Sequence, residues 1–101
     1  MGEYSTAVKY YERSLEIKKK TVPENDSSLT PSYMNIGNVY KNMGDYPKAL
    51  EYHGQSLEIK KKSLPKDHPD LATSYGNMGS VYQSMGDYPR ALEYHGQALE
   101  I

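Results

Sequence analysis

Polar and apolar residues alternate along this chain with the period of an α-helix, and the same alternation occurs three times. In residues 44–59, GDYPKALEYHGQSLEI, the positions Tyr46, Ala49, Leu50, His53, Ser56 and Leu57 stand at i, i+3, i+4, i+7, i+10 and i+11. That spacing lays them on one stripe of an amphipathic helix. Tyr88, Ala91, Leu92, His95, Ala98 and Leu99 repeat the stripe in residues 86–101, and Tyr4, Ala7, Val8, Tyr11, Ser14 and Leu15 repeat it in residues 2–17. Each copy begins 42 residues after the one before, so the chain is a repeat array. Residues 2–43 and 44–85 share 20 identities in 42, and the last copy matches the middle one at 14 of 16 positions. A lone helix cannot bury such a stripe, so the copies must stack on elements between them.

Those elements are a second kind of helix. The spacing predicts a first helix over residues 5–20, ending in Lys18, Lys19 and Lys20, where positive charge complements the helix dipole. A polar connector over residues 21–28 leads to a helix over 29–43 with the inward face Leu29, Tyr33, Ile36, Gly37, Tyr40 and Met43. Pro31 is tolerable only in its first turn. Gly44-Asp45 breaks the chain into a helix over 46–62, and residues 63–68 connect it to a helix over 69–85. The face there is Leu71, Tyr75, Met78, Gly79, Tyr82 and Met85. Gly86-Asp87 turns into the last helix, which runs to Ile101. If A precedes the Gly-Asp turn and B follows it, the order is B-A-B-A-B. The expected organisation is one array over residues 1–101, with an orphan helix B at 2–20 and repeats at 29–62 and 69–101.

One further set of residues carries a family resemblance. Tyr75, Met78-Gly79, Tyr82, Gly86-Asp87-Tyr88, Ala91, His95 and Ala98, with Tyr33, Ile36-Gly37, Tyr40, Gly44-Asp45-Tyr46, Ala49, His53 and Ser56 before them, resemble the tetratricopeptide repeat (TPR) pattern. The 42-residue period and the connector Asp67-His68-Pro69-Asp70-Leu71 are similar to the kinesin-light-chain type of that repeat. Serine stands for alanine at Ser14 and Ser56, and histidine for an aromatic at His53 and His95. Independently of the name, Gly37 and Gly79 let helix B approach helix A, Ala49 and Ala91 do so from the other side, and tyrosines fill the gaps.

The resemblance implies an all-α, right-handed α-α superhelix whose A helices line a concave wall that binds extended peptides or short helices of protein partners. By position, that wall presents Met34, Asn35, Asn38, Lys41 and Asn42 from one A helix. The next offers Thr73, Gly76, Asn77, Ser80, Gln83 and Ser84. These residues lie opposite the tyrosine and methionine stripe, and most are amides or hydroxyls rather than the usual Glu/Lys solvent face. Asn35 and Asn77 occupy equivalent positions, and an Asn amide both donates and accepts, so it can clamp a peptide backbone of any sequence. The plain alternative is a solvated polar face. A rival to the binding module is a structural spacer that self-associates through its terminal helices, by domain swapping if near-identical repeats exchange surfaces.

Composition narrows the choice of partner. Twelve basic and thirteen acidic side chains leave a net charge of −1, so no field steers the chain toward nucleic acid or an anionic membrane. All eleven aromatics are tyrosine and there is no cysteine, which excludes a disulfide framework. No apolar run approaches the roughly 20 residues of a membrane span. The expectation is a cytoplasmic, non-enzymatic protein without a cofactor, read as a segment of a longer array because the first B helix lacks its A partner.

Other residues invite chemistry and are weighed against simpler roles. His53 and His95 recur at one helical position, but with no second His at i+4 and no Cys they read as core histidines rather than metal ligands. His68 suits a helix start. The triplets at 18–20 and 60–62 read as helix-end charge before a phosphate-binding stripe. Gly54 and Gly96 sit inside helices, where glycine costs about 1 kcal/mol, and are read as close-approach positions. No phosphate-binding glycine loop or nucleophile elbow is present.

Overall fold

The computed structural model describes residues 2–24 and 26–101; Met1 and Asn25, the latter within the predicted connector, lie outside the described residues. The elements are α1 (Gly2–Lys19), a 3-10 turn (Ser27–Leu29), α2 (Thr30–Met43), α3 (Tyr46–Ser63), α4 (Pro69–Met85) and α5 (Tyr88–Leu99). Among the described residues there is no strand. Nor, among the described residues, is any helix long and apolar enough to cross a membrane.

The local signals explain the boundaries. Gly44 and Gly86 end α2 and α4 in the left-handed region, with φ of 86° and 85°, a conformation glycine adopts without a Cβ penalty. The next residues, Asp45 and Asp87, accept from the backbone N–H of Lys48 and Arg90 and so cap α3 and α5. A proline follows in the first turn of each helix, where its missing N–H costs nothing. His68 starts α4 by accepting from the N–H of Asp70 at 3.0 Å, the helix-start role anticipated for it. Five boundaries differ from the sequence expectation; α1 ends at Lys19 and α3 at Ser63, each one residue from the expected end. Helix α1 starts at Gly2 rather than Ser5, Leu29 belongs to the 3-10 turn capped by Asp26, and α5 stops at Leu99.

Every substantial interhelical packing joins consecutive helices: α1 with α2, α2 with α3, α3 with α4 and α4 with α5. The Cα trace measures 35 × 33 × 16 Å, and the short dimension corresponds to two helix layers about 10 Å apart. One buried cluster joins Val8 and Leu15 of α1 to Leu29, Tyr33, Ile36 and Tyr40, and to Ala49 and Ile59 of α3. A second joins Leu57 to Leu71 and Met78. Val81, fully buried, was not on the predicted inward face.

The predicted stripes are buried most completely on α3, which is packed on both sides, while on α5 only Ala91 is buried. On α3, Ala49, His53, Ser56 and Leu57 are buried. On α5, Tyr88, Leu92 and Leu99 are 61, 73 and 87 % exposed. On α1, Val8 and Leu15 are buried while Tyr4 and Tyr11 remain exposed. Met43 and Met85, placed on inward faces by the pattern, are also exposed, because each ends its helix beside the turn glycine.

Candidate protein-interaction surface

The outward side of α2 and α4 brings part of the predicted wall together. Lys41 from α2 and Ser80, Gln83 and Ser84 from α4 line one shallow depression of about 440 Å³, closed at one side by Tyr88. Asn35, Asn38, Asn42, Thr73, Gln83 and Ser84 are exposed, and Lys41, Gly76, Asn77 and Ser80 are half-buried. Met34 is half-buried, and its Sδ accepts a long hydrogen bond from Lys60 Nζ at 3.3 Å, which turns it toward the end of α3. Asn35, Asn38, Asn42, Thr73 and Asn77 do not line the depression. The Asn and Gln amides of this face make no side-chain hydrogen bond with the described residues, so their donors and acceptors are uncommitted.

Helix B is seated beneath this face by close contact. A Cβ on Gly37 would stand 2.7 Å from His53 Cδ2, and one on Gly79 would stand 2.9 Å from His95 Cε1. A side chain at Gly37 would collide with the buried His53 ring, and one at Gly79 would displace the far end of the half-buried His95 ring. His53 is 2 % exposed and neither ring nitrogen has a partner among the described residues. Burial pushes its pKa down to about 4, and the charges of Lys41 and Lys60 add to the shift. The ring is neutral at pH 7 and packs as a core group. Among the described residues no cluster of His, Cys, Asp or Glu could hold a metal ion.

Gly54 and Gly96 do not behave as expected. Nothing lies within 4 Å of a Cβ built on either, so neither is a close-approach position. Gly54 instead lines a cleft of about 600 Å³ that runs along α3 from the end of α1 to Tyr94 on α5.

Sequence reasoning missed three participants in the interhelical contacts. Tyr52 stacks on Tyr40 at 5.7 Å and Tyr94 on Tyr82 at 5.4 Å, both at 17°. Glu12 of α1 accepts from Tyr40 Oη at 3.4 Å and Tyr52 Oη at 3.1 Å. Burial, reinforced by the Glu12 hydrogen bond and charge, pushes Tyr52 up to about 12. The signal for the tyrosines was their 42-residue recurrence one position before each histidine, outside the stripe. Tyr88 was missed as a surface residue because the stripe placed it inward.

Stacked antiparallel helix pairs joined by Gly-Asp turns, each pair packed only on the next, define an α-helical repeat array. A tetratricopeptide repeat model matches residues 28–101, and a second one matches residues 1–21. The chain belongs to the tetratricopeptide repeat family, whose repeats generally mediate protein–protein interactions. No curated protein sequence matches it. Among solved structures it is similar to a Podosopora anserina protein described as a kinesin light chain with nearly identical TPR-like repeats. That match has 27 % identity and a TM-score of 0.87, and covers 99 % of this chain and 47 % of the other. A form of that protein carrying a glutamine-to-methionine substitution matches at 26 % identity with the same TM-score and coverage. This chain thus spans about half the length of those relatives.

Proposed function

We propose that the chain is an interaction module whose α2/α4 wall holds an extended peptide or short helix of a partner protein. The observation that carries this reading is the depression between Lys41 on one helix and Ser80, Gln83 and Ser84 on the next. It spans two repeats, as an extended ligand requires. The uncommitted amides of Asn35 and Asn77, one per repeat, supply the donor–acceptor pairs that a peptide backbone satisfies in every sequence. Asn38, Asn42 and Thr73 extend the polar face, and Met34 closes it toward Lys60.

Selection from a displayed peptide library tests the proposal. Selected peptides should lose at least about tenfold in affinity to Asn35→Ala/Asn77→Ala, with helicity unchanged, and should be indifferent to Tyr10→Ala on the far side of α1. Peptides equally well bound by the double variant would reject the clamp.

A second reading rests on α5. Tyr88, Leu92 and Leu99 form an exposed apolar face, which favours self-association through this helix. Sedimentation equilibrium distinguishes the two readings: a mass that stays at 11.5 kDa at millimolar concentration rejects self-association and leaves the peptide wall standing.

A further inference from the structure

Glu12 marks a position that the repeat treats differently elsewhere. Its carboxylate bridges two phenols, Tyr40 and Tyr52, whose rings stack 5.7 Å apart. Adding the 42-residue period to these three positions gives Gly54, Tyr82 and Tyr94. The second pair of tyrosines is stacked in the same way, with centroids 5.4 Å apart and an interplanar angle of 17°. A cation sits over the outer ring in both copies: Lys48 Nζ is 5.5 Å from the Tyr40 centroid and the Arg90 guanidinium is 5.7 Å from that of Tyr82. What the second copy lacks is the acid.

The missing side chain leaves usable space. Nothing lies within 4 Å of a Cβ on Gly54, and both Gly54 and Tyr94 line the cleft of about 600 Å³, over a floor that includes Leu50, Leu57 and Met78. Among the described residues Tyr94 Oη donates to no partner. Glycine weakens a helix interior, and neither a positive φ nor a packed neighbour requires it here. The first copy therefore shows the pair of phenols with a carboxylate in place; in the second, Tyr94 lines the cleft together with Gly54, which carries no side chain, and Tyr82 stacks on Tyr94 without itself lining the cleft.

We infer that this cleft receives a carboxylate from a partner peptide, which takes the position at Tyr82 and Tyr94 that Glu12 fills at Tyr40 and Tyr52. Hydroxyls that donate to an ionised acceptor form the stronger class of hydrogen bond, and the apolar floor shields them from water. The rim restricts the ligand further. Glu51 and Glu58 stand at i−3 and i+4 from Gly54 and line the cleft with Glu24, against one cation, Lys19, so an isolated anion meets an excess of like charge. A glutamate with a lysine on each side meets both demands, its carboxylate on the phenols and its ammonium groups on the rim. This surface is separate from the α2/α4 wall, and its test is independent of it.

Titration of the 101-residue chain with acetyl-Lys-Glu-Lys-amide, followed by nuclear magnetic resonance, reads the Tyr94 ring and the Gly54 amide. The Glu peptide should shift both, and the Lys-Gln-Lys analogue should bind at least about fivefold more weakly, as should the Glu peptide to Tyr94→Phe. Gly54→Glu should abolish peptide binding, because it restores the internal acid. Equal binding of the Gln analogue, or no Tyr94 shift at roughly 10 mM peptide, would each overturn the inference.

Discussion

Helices α3 and α5 are read from almost the same sixteen residues, differing only at Lys48/Arg90 and Ser56/Ala98, yet they occupy different environments. In α3, Leu57 is 5 % exposed against Leu71 and Met78 of α4; its counterpart Leu99 is 87 % exposed. His53 is buried while His95 is half-buried, although each ring lies against the equivalent glycine. The difference comes from the neighbours. Helix α3 is clasped by α2 and α4, whereas the substantial packing of α5 is with α4 alone. In an array where each element contacts only the next, a residue's energetic weight is set by whether a following helix covers it.

Four experiments bear on that contrast, beginning with the largest expected effect. Leu57→Ala should cost about 2–5 kcal/mol, the range for deleting a buried leucine, whereas Leu99→Ala should stay within about 0.5 kcal/mol. Equal urea midpoints for the two variants would show that α5 is covered in solution.

The second is acid sensitivity. Because the folded pKa of His53 is about 4 against 6.5 for the free group, the unfolded chain binds a proton first. The stability that neutral His53 confers is complete above pH 6.5 and is lost as pH falls toward 4, by about 3 kcal/mol in all. Denaturation at pH 7 and at about pH 4.5 should show this loss, and His53→Phe should flatten it.

Third, Gly37→Ala adds a Cβ 2.7 Å from His53 Cδ2. Overpacking of about 1–3 kcal/mol outweighs a propensity gain of about 1, for a net loss near roughly 1 kcal/mol. Gly79→Ala should be close to neutral, because the atoms it meets are the far end of a half-buried His95 ring with room to shift. Thermal melts of the two variants make the comparison.

The smallest effect belongs to α1. Glu12→Gln removes the charged acceptor of Tyr52 and should cost about 1 kcal/mol. Ultraviolet titration should show Tyr52 falling from about 12 while staying above the ordinary value of 10.0, since burial is the larger cause of its shift. An unchanged titration would mean that Glu12 does not hold α1 in place.

Most of the fold was legible in the residues. The 42-residue period, the Gly-Asp turns and the helical stripes led to five helices whose boundaries fall within three residues of those observed. The candidate wall was legible only as a set of positions. That Lys41 meets Ser80, Gln83 and Ser84 across two helices, with Tyr88 beside them, depends on how α2 and α4 are set by the helices between and around them. Gly54 was misread because a glycine inside a helix is compatible with a tight contact or with open space, and the two have the same sequence signature.

Helix, turn and repeat were determined by the sequence itself, because dihedral preference, capping and amphipathic spacing act within a few residues of where they are written. Tertiary structure alone decided which copies of one stripe are buried, which imidazole loses its water, and that Glu12 reaches both phenols of the first pair. Those outcomes depend on side chains 28 to 40 residues apart, as with Glu12 and its two tyrosines, and burial is a property of the neighbour as much as of the residue.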